Sequence, residues 1–269
     1  MVLLIFFYCM MTGRPRGYPS IHNPSCRLKD SQRDFFYRSI HFFGEIIVDA
    51  TRLMHNLFSV DSAKIATLVT PFYLITRSLD EQIQKPFYDP AGHKNCNQLP
   101  RSCHDFAKNS VAIPMVGLSS LAIFATDSDL ALTARMLAIG LPFVQSGKDI
   151  IKSLRFTSCL RPWNENFCQT ERSSGGFPSG HIANISYMAM LFGMRHGLRW
   201  AIPLTALGIF VAADFLNCNR HYLSQLVAGA GLGVIFAVAA SKVVDTKIMD
   251  HWSINRADQG TGLKIAYLF

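Results

Sequence analysis

From Tyr222 to Ser241 the chain carries no charged side chain. A helix of that length can cross the roughly 30 Å hydrocarbon core of a bilayer. Ser110 to Thr126 is a second uncharged run, and the shorter apolar runs Met136 to Gly147, Ile182 to Met194 and Trp200 to Ala213 lie between the two. These runs predict an all-α fold, packed either as tilted membrane spans with charged ends or as the buried helices of a soluble bundle. Composition favours the membrane. Only 16% of residues are charged, against roughly 25% in an ordinary soluble domain. The 49% hydrophobic content also argues against a disordered chain, a coiled coil or a small disulfide-stapled module.

Upstream the texture is mixed. The apolar start Met1 to Met11 lacks a basic n-region and a small-residue cleavage site, and is too short to span. Residues 12–34, rich in Gly, Pro, Ser and charge, read as a polar segment. Between 35 and 60, Phe35, Phe36, Phe42, Phe43, Ile46, Ile47, Leu53, Leu57 and Phe58 recur at helical spacing among Glu45, Asp49, Arg52 and His55. That pattern predicts an amphipathic helix on a membrane surface or against a bundle. Residues 65–76 are an uncharged but short run, and 78–109, with Pro86, Pro90 and Pro100, read as a polar connection. Seven cysteines, at 9, 26, 96, 103, 159, 168 and 218, contain no C-x2-C pair, so a structural zinc site is not indicated. Cys96 with Cys103 and Cys159 with Cys168 close short loops, as disulfides or as free thiols.

The net charge of +8 comes without a long Lys/Arg run or basic-aromatic interleaving, which disfavours nucleic acid and favours an anionic lipid or phosphate as partner. If the apolar runs alternate across a membrane, Arg195, His196, Arg199, Lys242, Lys247 and Arg256 share one side, the cytoplasmic one by the positive-inside rule. The 159–180 and 214–221 connections then meet on the other.

Those two connections carry the candidate chemistry. Gly175-Gly176-Phe177-Pro178-Ser179-Gly180-His181 leads straight into an apolar helix, whose free N–H groups and positive dipole end make an anion seat. Ser179 adds a hydroxyl, Gly180 permits close approach, and His181 exchanges protons near neutral pH. His221 opens the last apolar run, and Gln225, four residues on, is placed to accept from one imidazole nitrogen. Lys148, Lys152 and Arg155 form one helical stripe that leads to Arg161-Pro162. Each feature alone also fits a turn, a core histidine or a solvated face.

Taken together, residues 110–244 resemble the type 2 phosphatidic acid phosphatase (PAP2) superfamily, membrane lipid-phosphatase branch. The family pattern is K-x6-R-P, then P-S-G-H, then S-R-x5-H-x3-D. Here Pro178-Ser179-Gly180-His181 is complete, Arg161-Pro162 supplies the end of the first motif, and His221 opens the third. The resemblance implies a PAP2-like multi-pass helical domain over 35–250, preceded by the 1–34 segment and followed by a 251–269 tail. It implies a phosphoric monoester hydrolase needing no metal or other cofactor, acting on a lipid phosphate or pyrophosphate. In a bacterium it would sit in the inner membrane with its site on the non-cytoplasmic face. His221 would attack phosphorus and His181 would serve as acid and base, while Arg161, Ser179 and Gly180 hold the phosphoryl oxygens. Three positions depart from the pattern. Leu154 stands where the lysine should be, leaving Lys152 as the better substitute. Phe215 stands in the place of the third-motif arginine, leaving Arg220 as the nearby guanidinium. Gln225 replaces the orienting aspartate. The alternatives are a PAP2-type phosphotransferase or a lipid-binding protein without turnover.

Overall fold

The structure, a computed structural model, describes residues 24–87, 101–154, 161–162, 176–217 and 220–257. Seven helices account for nearly all of them, and the described residues contain no strand. In chain order they are α1 (Pro24–Leu57), α2 (Val60–Gln84), α3 (Arg101–Phe124), α4 (Ser128–Ser153), α5 (Gly180–His196), α6 (Leu198–Asn217) and α7 (Leu223–Ala257). A short 3-10 turn, Lys85–Phe87, follows α2. The N-terminal apolar stretch, Cys96, Cys159, Cys168 and Arg155 lie outside the described residues.

Local signals set the helix starts. Ser59 caps α2 by accepting from the Ser62 N–H, and the Asp127 carboxylate caps α4 by accepting from the Asp129 and Leu130 N–H groups. Such caps satisfy donors that a helix cannot pair internally. Gly197, at φ 85, turns the chain between α5 and α6, a conformation open to glycine at little steric cost. The helix ends differ from the sequence expectation at two places. α1 begins at Pro24, ahead of the apolar periodicity that starts at Phe35, and the region read as a polar connection from 78 is helical to Gln84 and again from Arg101.

α5 is the central helix. It packs against α7, α6 and α4, while α1 and α2 lie against α7. Ile182, Ala183, Ile185, Tyr187, Met188, Leu191 and Phe192 of α5 are buried. Tyr187 donates its hydroxyl proton to the Met136 carbonyl at 2.7 Å, so its polar tip is satisfied inside the core. α7 crosses α5 almost backbone to backbone. A Cβ at Gly229 would stand 2.5 Å from the Ser179 carbonyl oxygen, and one at Gly233 would run into that of Ala183. Close crossings through small residues are the usual way in which membrane helices gain packing contact.

Three helical segments, Ser128–Ser153, Leu198–Asn217 and Leu223–Met249, are long and apolar enough to cross a membrane, and Asn109–Phe124 is a shorter apolar segment. The outer surface agrees. Leu68, Phe72, Ile75, Ile113, Val116, Ile202, Ile209 and Phe210 are all exposed, a wider apolar covering than water-soluble monomers usually show. α1 is turned inside out. Its Glu45 and Asp49 face the bundle, paired with Arg135 and Lys247, while Ile47 and Val48 are 65% and 46% exposed. A helix that points its carboxylates inward and its apolar side chains outward suits apolar surroundings.

Candidate active site

Where α4 ends and α5 and α7 begin, a cleft of about 190 Å³ opens, lined by Gln145, Lys148, Lys152, Arg161, Gly180, His181, Asn184, Arg220 and His221. Segments far apart in sequence meet here because the Gly229 and Gly233 crossing brings the first turns of α5 and α7 together. The Ser179 N–H donates to the Gln225 carbonyl at 3.1 Å and locks the two starts to each other.

His221 is buried, at 3% exposure. Its Nδ1 lies 3.3 Å from Gln225 Oε1, and the Tyr222 backbone N–H donates to the same oxygen at 3.2 Å. The backbone donor decides the orientation of the amide, because an N–H requires an acceptor. With Oε1 fixed there, Nδ1 must carry the proton in the neutral ring, and the lone pair sits on Nε2. Burial, followed by the Arg161 and Lys152 charges, holds the His221 imidazole well below its ordinary pKa of 6.5, while the Gln225 hydrogen bond acts in the opposite sense. At neutral pH the ring is therefore uncharged and able to act as a nucleophile.

Phe215 joins the two histidines. Its ring centroid is 5.3 Å from that of His181 and 5.1 Å from that of His221, and it is wholly buried. The Arg220 guanidinium lies 5.6 Å from the same ring, and the Arg220 N–H closes the turn on the Phe215 carbonyl at 2.9 Å. An aromatic face attracts a guanidinium at this range. The residue that stands in place of the motif arginine thus supplies the surface on which a displaced arginine rests. Arg161 joins the same loop by donating from a terminal nitrogen to the Arg220 carbonyl at 3.4 Å.

At the other departure, Leu154 caps the end of α4 and is 57% exposed, away from the lining, whereas Lys152 and Lys148 both line the cleft. Ser179 is buried at the N-cap of α5, where its side chain makes no capping hydrogen bond and its Oγ has no partner. Gly180 leaves room for the Lys148 stem, which a Cβ would meet at 2.6 Å.

Two lining residues escaped the sequence reading. Gln145 donates to Asn184 Oδ1 at 2.7 Å and accepts from Lys148 Nζ at 2.7 Å, forming a polar row along one wall. The signal was present: Gln145 precedes Lys148 by three and Asn184 follows His181 by three, so each is a polar residue extending a known stripe by one turn. None of the described residues that line the cleft is acidic, while four are Lys or Arg. Such a space attracts a polyanion.

Residues 130–249 match the model of the PAP2 superfamily. The matched segment, 120 of the 269 residues, is similar to that superfamily. Neither the search of curated proteins nor that of solved structures gives a match. That similarity supports phosphatase-type chemistry in general, and the three long apolar helices are compatible with association with a membrane. The matched segment contains every lining residue of the cleft.

Proposed function

We propose that the protein is a multi-pass membrane phosphatase that removes phosphate from a lipid phosphate or lipid pyrophosphate, without a metal, through a phosphohistidine. The observation that carries this reading is the convergence of two imidazoles and four cationic side chains on one cleft. His221 Nε2 attacks phosphorus, and the bond to the leaving oxygen breaks as His181 donates a proton to it. His181 then takes a proton from water, which attacks phosphorus and breaks the N–P bond, releasing phosphate and restoring His221. Arg161, Arg220 and Lys152 balance charge on the phosphoryl oxygens, with the Gly180 backbone and Ser179 hydroxyl as further donors. In phosphoryl transfer, fixed charges and positioning supply most of the catalysis.

A lipid substrate is supported by the mouth. Ile150 and Leu154, on the α4 turns that carry Lys148 and Lys152, are 65% and 57% exposed. Apolar side chains at this level suit an acyl boundary while the lysines reach the phosphate. Arg195, paired with Asp129 and Asp245, marks the opposite end of the bundle. Arg199, Lys242 and Lys247 also lie toward that end, which under the positive-inside rule supports an orientation with the cleft on the non-cytoplasmic face.

The test is phosphate release in EDTA from a panel of phosphatidate, phosphatidylglycerophosphate and polyprenyl pyrophosphate in mixed micelles. The wild type is expected to turn over at least one of them. His221→Ala should fall to background and His181→Ala by about 10²- to 10⁴-fold, the range for a lost acid or base. The uncharged Gln225 beside His221 favours a second reading, phosphate-lipid binding without turnover. Binding with no release across the panel would establish that instead.

A further inference from the structure

Four side chains at one helical spacing on α2, Tyr73, Arg77, Asp80 and Gln84, reach the loops that carry the two histidines. Tyr73 packs its ring on Phe177, beside the Pro178-Ser179-Gly180-His181 motif, at 5.5 Å between centroids. Gln84 Nε2 donates to the Leu216 carbonyl at 2.9 Å, at the end of α6. Asp80 accepts the Ser224 N–H on Oδ1 at 3.0 Å and the Ser224 hydroxyl on Oδ2. Arg77 lies 3.2 Å from Asp80 Oδ2, with its guanidinium 5.9 Å from the Tyr222 ring centroid. None of the four lies in the segment that matches PAP2.

We propose that α2 is the positioning element of the His221 loop and that Asp80 is its principal positioning residue. The proposal rests on the phosphatase reading for its consequence in catalysis, but the clamp itself does not. Asp80 is 3% exposed, and a buried carboxylate is costly unless several donors meet it. Here a backbone N–H, a hydroxyl and a guanidinium do so, and a negative charge beside the start of α7 complements the helix dipole. Ser224 lies between His221 and Gln225. Holding its N–H fixes the first turn of α7 and, with it, the amide oxygen that orients the imidazole. Gln84 holds the other side of the same loop. A carboxylate from a different helix thus holds the residue next to Gln225 in place.

The experiment uses the full chain in detergent and compares wild type, Asp80→Ala and Asp80→Asn by hydrogen exchange, melting temperature and EDTA-resistant phosphate release. The Ala variant should exchange the amides of 222–226 at least tenfold faster, with exchange in α6 above 212 and in α5 unchanged. Its kcat should fall about 10²-fold with KM within threefold, and the Asn variant, which keeps one acceptor, should recover part of that loss. If the Ala variant does not fold, the Asn variant carries the test through the same readouts at a smaller amplitude. Unchanged exchange at 222–226 overturns the clamp. Faster exchange with unaltered kcat overturns the positioning role. Should the wild type release no phosphate, the phosphatase reading fails while the exchange data still decide the clamp.

Discussion

The starts of α5 and α7 form a pair that the chain uses in opposite ways. Each sets a histidine at or just before its first turn, and each lines the same cleft. At α5 the N-cap Ser179 makes no side-chain cap, its hydroxyl is buried without a partner, and Gly180 faces the cleft. At α7 the donors are taken up from within: Tyr222 N–H by Gln225 Oε1, Ser224 N–H by Asp80, and Gln225 and Leu226 N–H by the Tyr222 carbonyl. A helix start that keeps donors for a ligand receives an anion. One whose donors are bound by its own chain makes a rigid mount. On the proposed phosphatase reading, the contrast fits phosphate reception at α5 and nucleophile support at α7.

The sharpest way to break this contrast is to ask which histidine carries phosphorus. On an aryl phosphate, whose leaving group needs little protonation, His181→Ala should still form the covalent intermediate and accumulate it, because water is no longer activated. His221→Ala should form none. Acid-quench trapping of labelled phosphate on the protein measures both, and label retained in the His221 variant would reverse the assignment.

The two serines offer a second comparison, smaller and of opposite sign. Ser179→Ala removes a buried hydroxyl without a partner, so the melting temperature should hold or rise, the loss of an unsatisfied group being worth about 1 kcal/mol. kcat/KM should nevertheless fall by about 10- to 100-fold as a phosphoryl donor is lost. Ser224→Ala removes a donor to the buried Asp80 and should cost about 1.5–3 kcal/mol. Parallel thermal and kinetic measurements on the pair check this, and equal stability effects would erase the distinction between the two starts.

How far the sequence disclosed this arrangement varies with the kind of signal. His181 and His221 were legible because each stands where a polar loop enters an apolar helix. Lys152 was legible as the nearest cation to the departing Leu154, and α4 turns Leu154 outward for the reason helical periodicity gives. Phe215 was visible only as a missing arginine. That its ring would contact both imidazoles and carry Arg220 depends on the 215–220 turn closing on itself. No local pattern specifies that closure. Asp80 was wholly hidden, since 78–109 reads as a polar connection when α2 in fact continues to Gln84. Its contact with Ser224 spans about half of the chain, and a carboxylate near the end of a weakly apolar helix gives no sign of its partner. The inverted face of α1 was likewise readable as amphipathic, but which side met the bundle was decided by Arg135 and Lys247.

The mount at α7 also sets the finest prediction, in the acid limb of kcat/KM, which reports ionisation in the free enzyme. The nucleophile must be unprotonated, and burial together with Arg161 and Lys152 holds His221 well below 6.5. Lowering the pH to 6.5 therefore leaves the ring neutral, and the limb should lie on the acid side of that value. Its neighbours pull in opposite directions. Lys152→Met removes a repelling charge, so the proton binds more readily and the limb should move toward higher pH. Gln225→Leu removes a hydrogen bond that favours the protonated ring, so the limb should move lower, with kcat reduced because Nδ1 has lost the acceptor that fixes the tautomer. Profiles of the three proteins on one substrate share that substrate's own ionisation, which leaves the differences between them to His221. Shifts of the same sign in both variants would mean that His221 does not govern the limb and that another group at the cleft does.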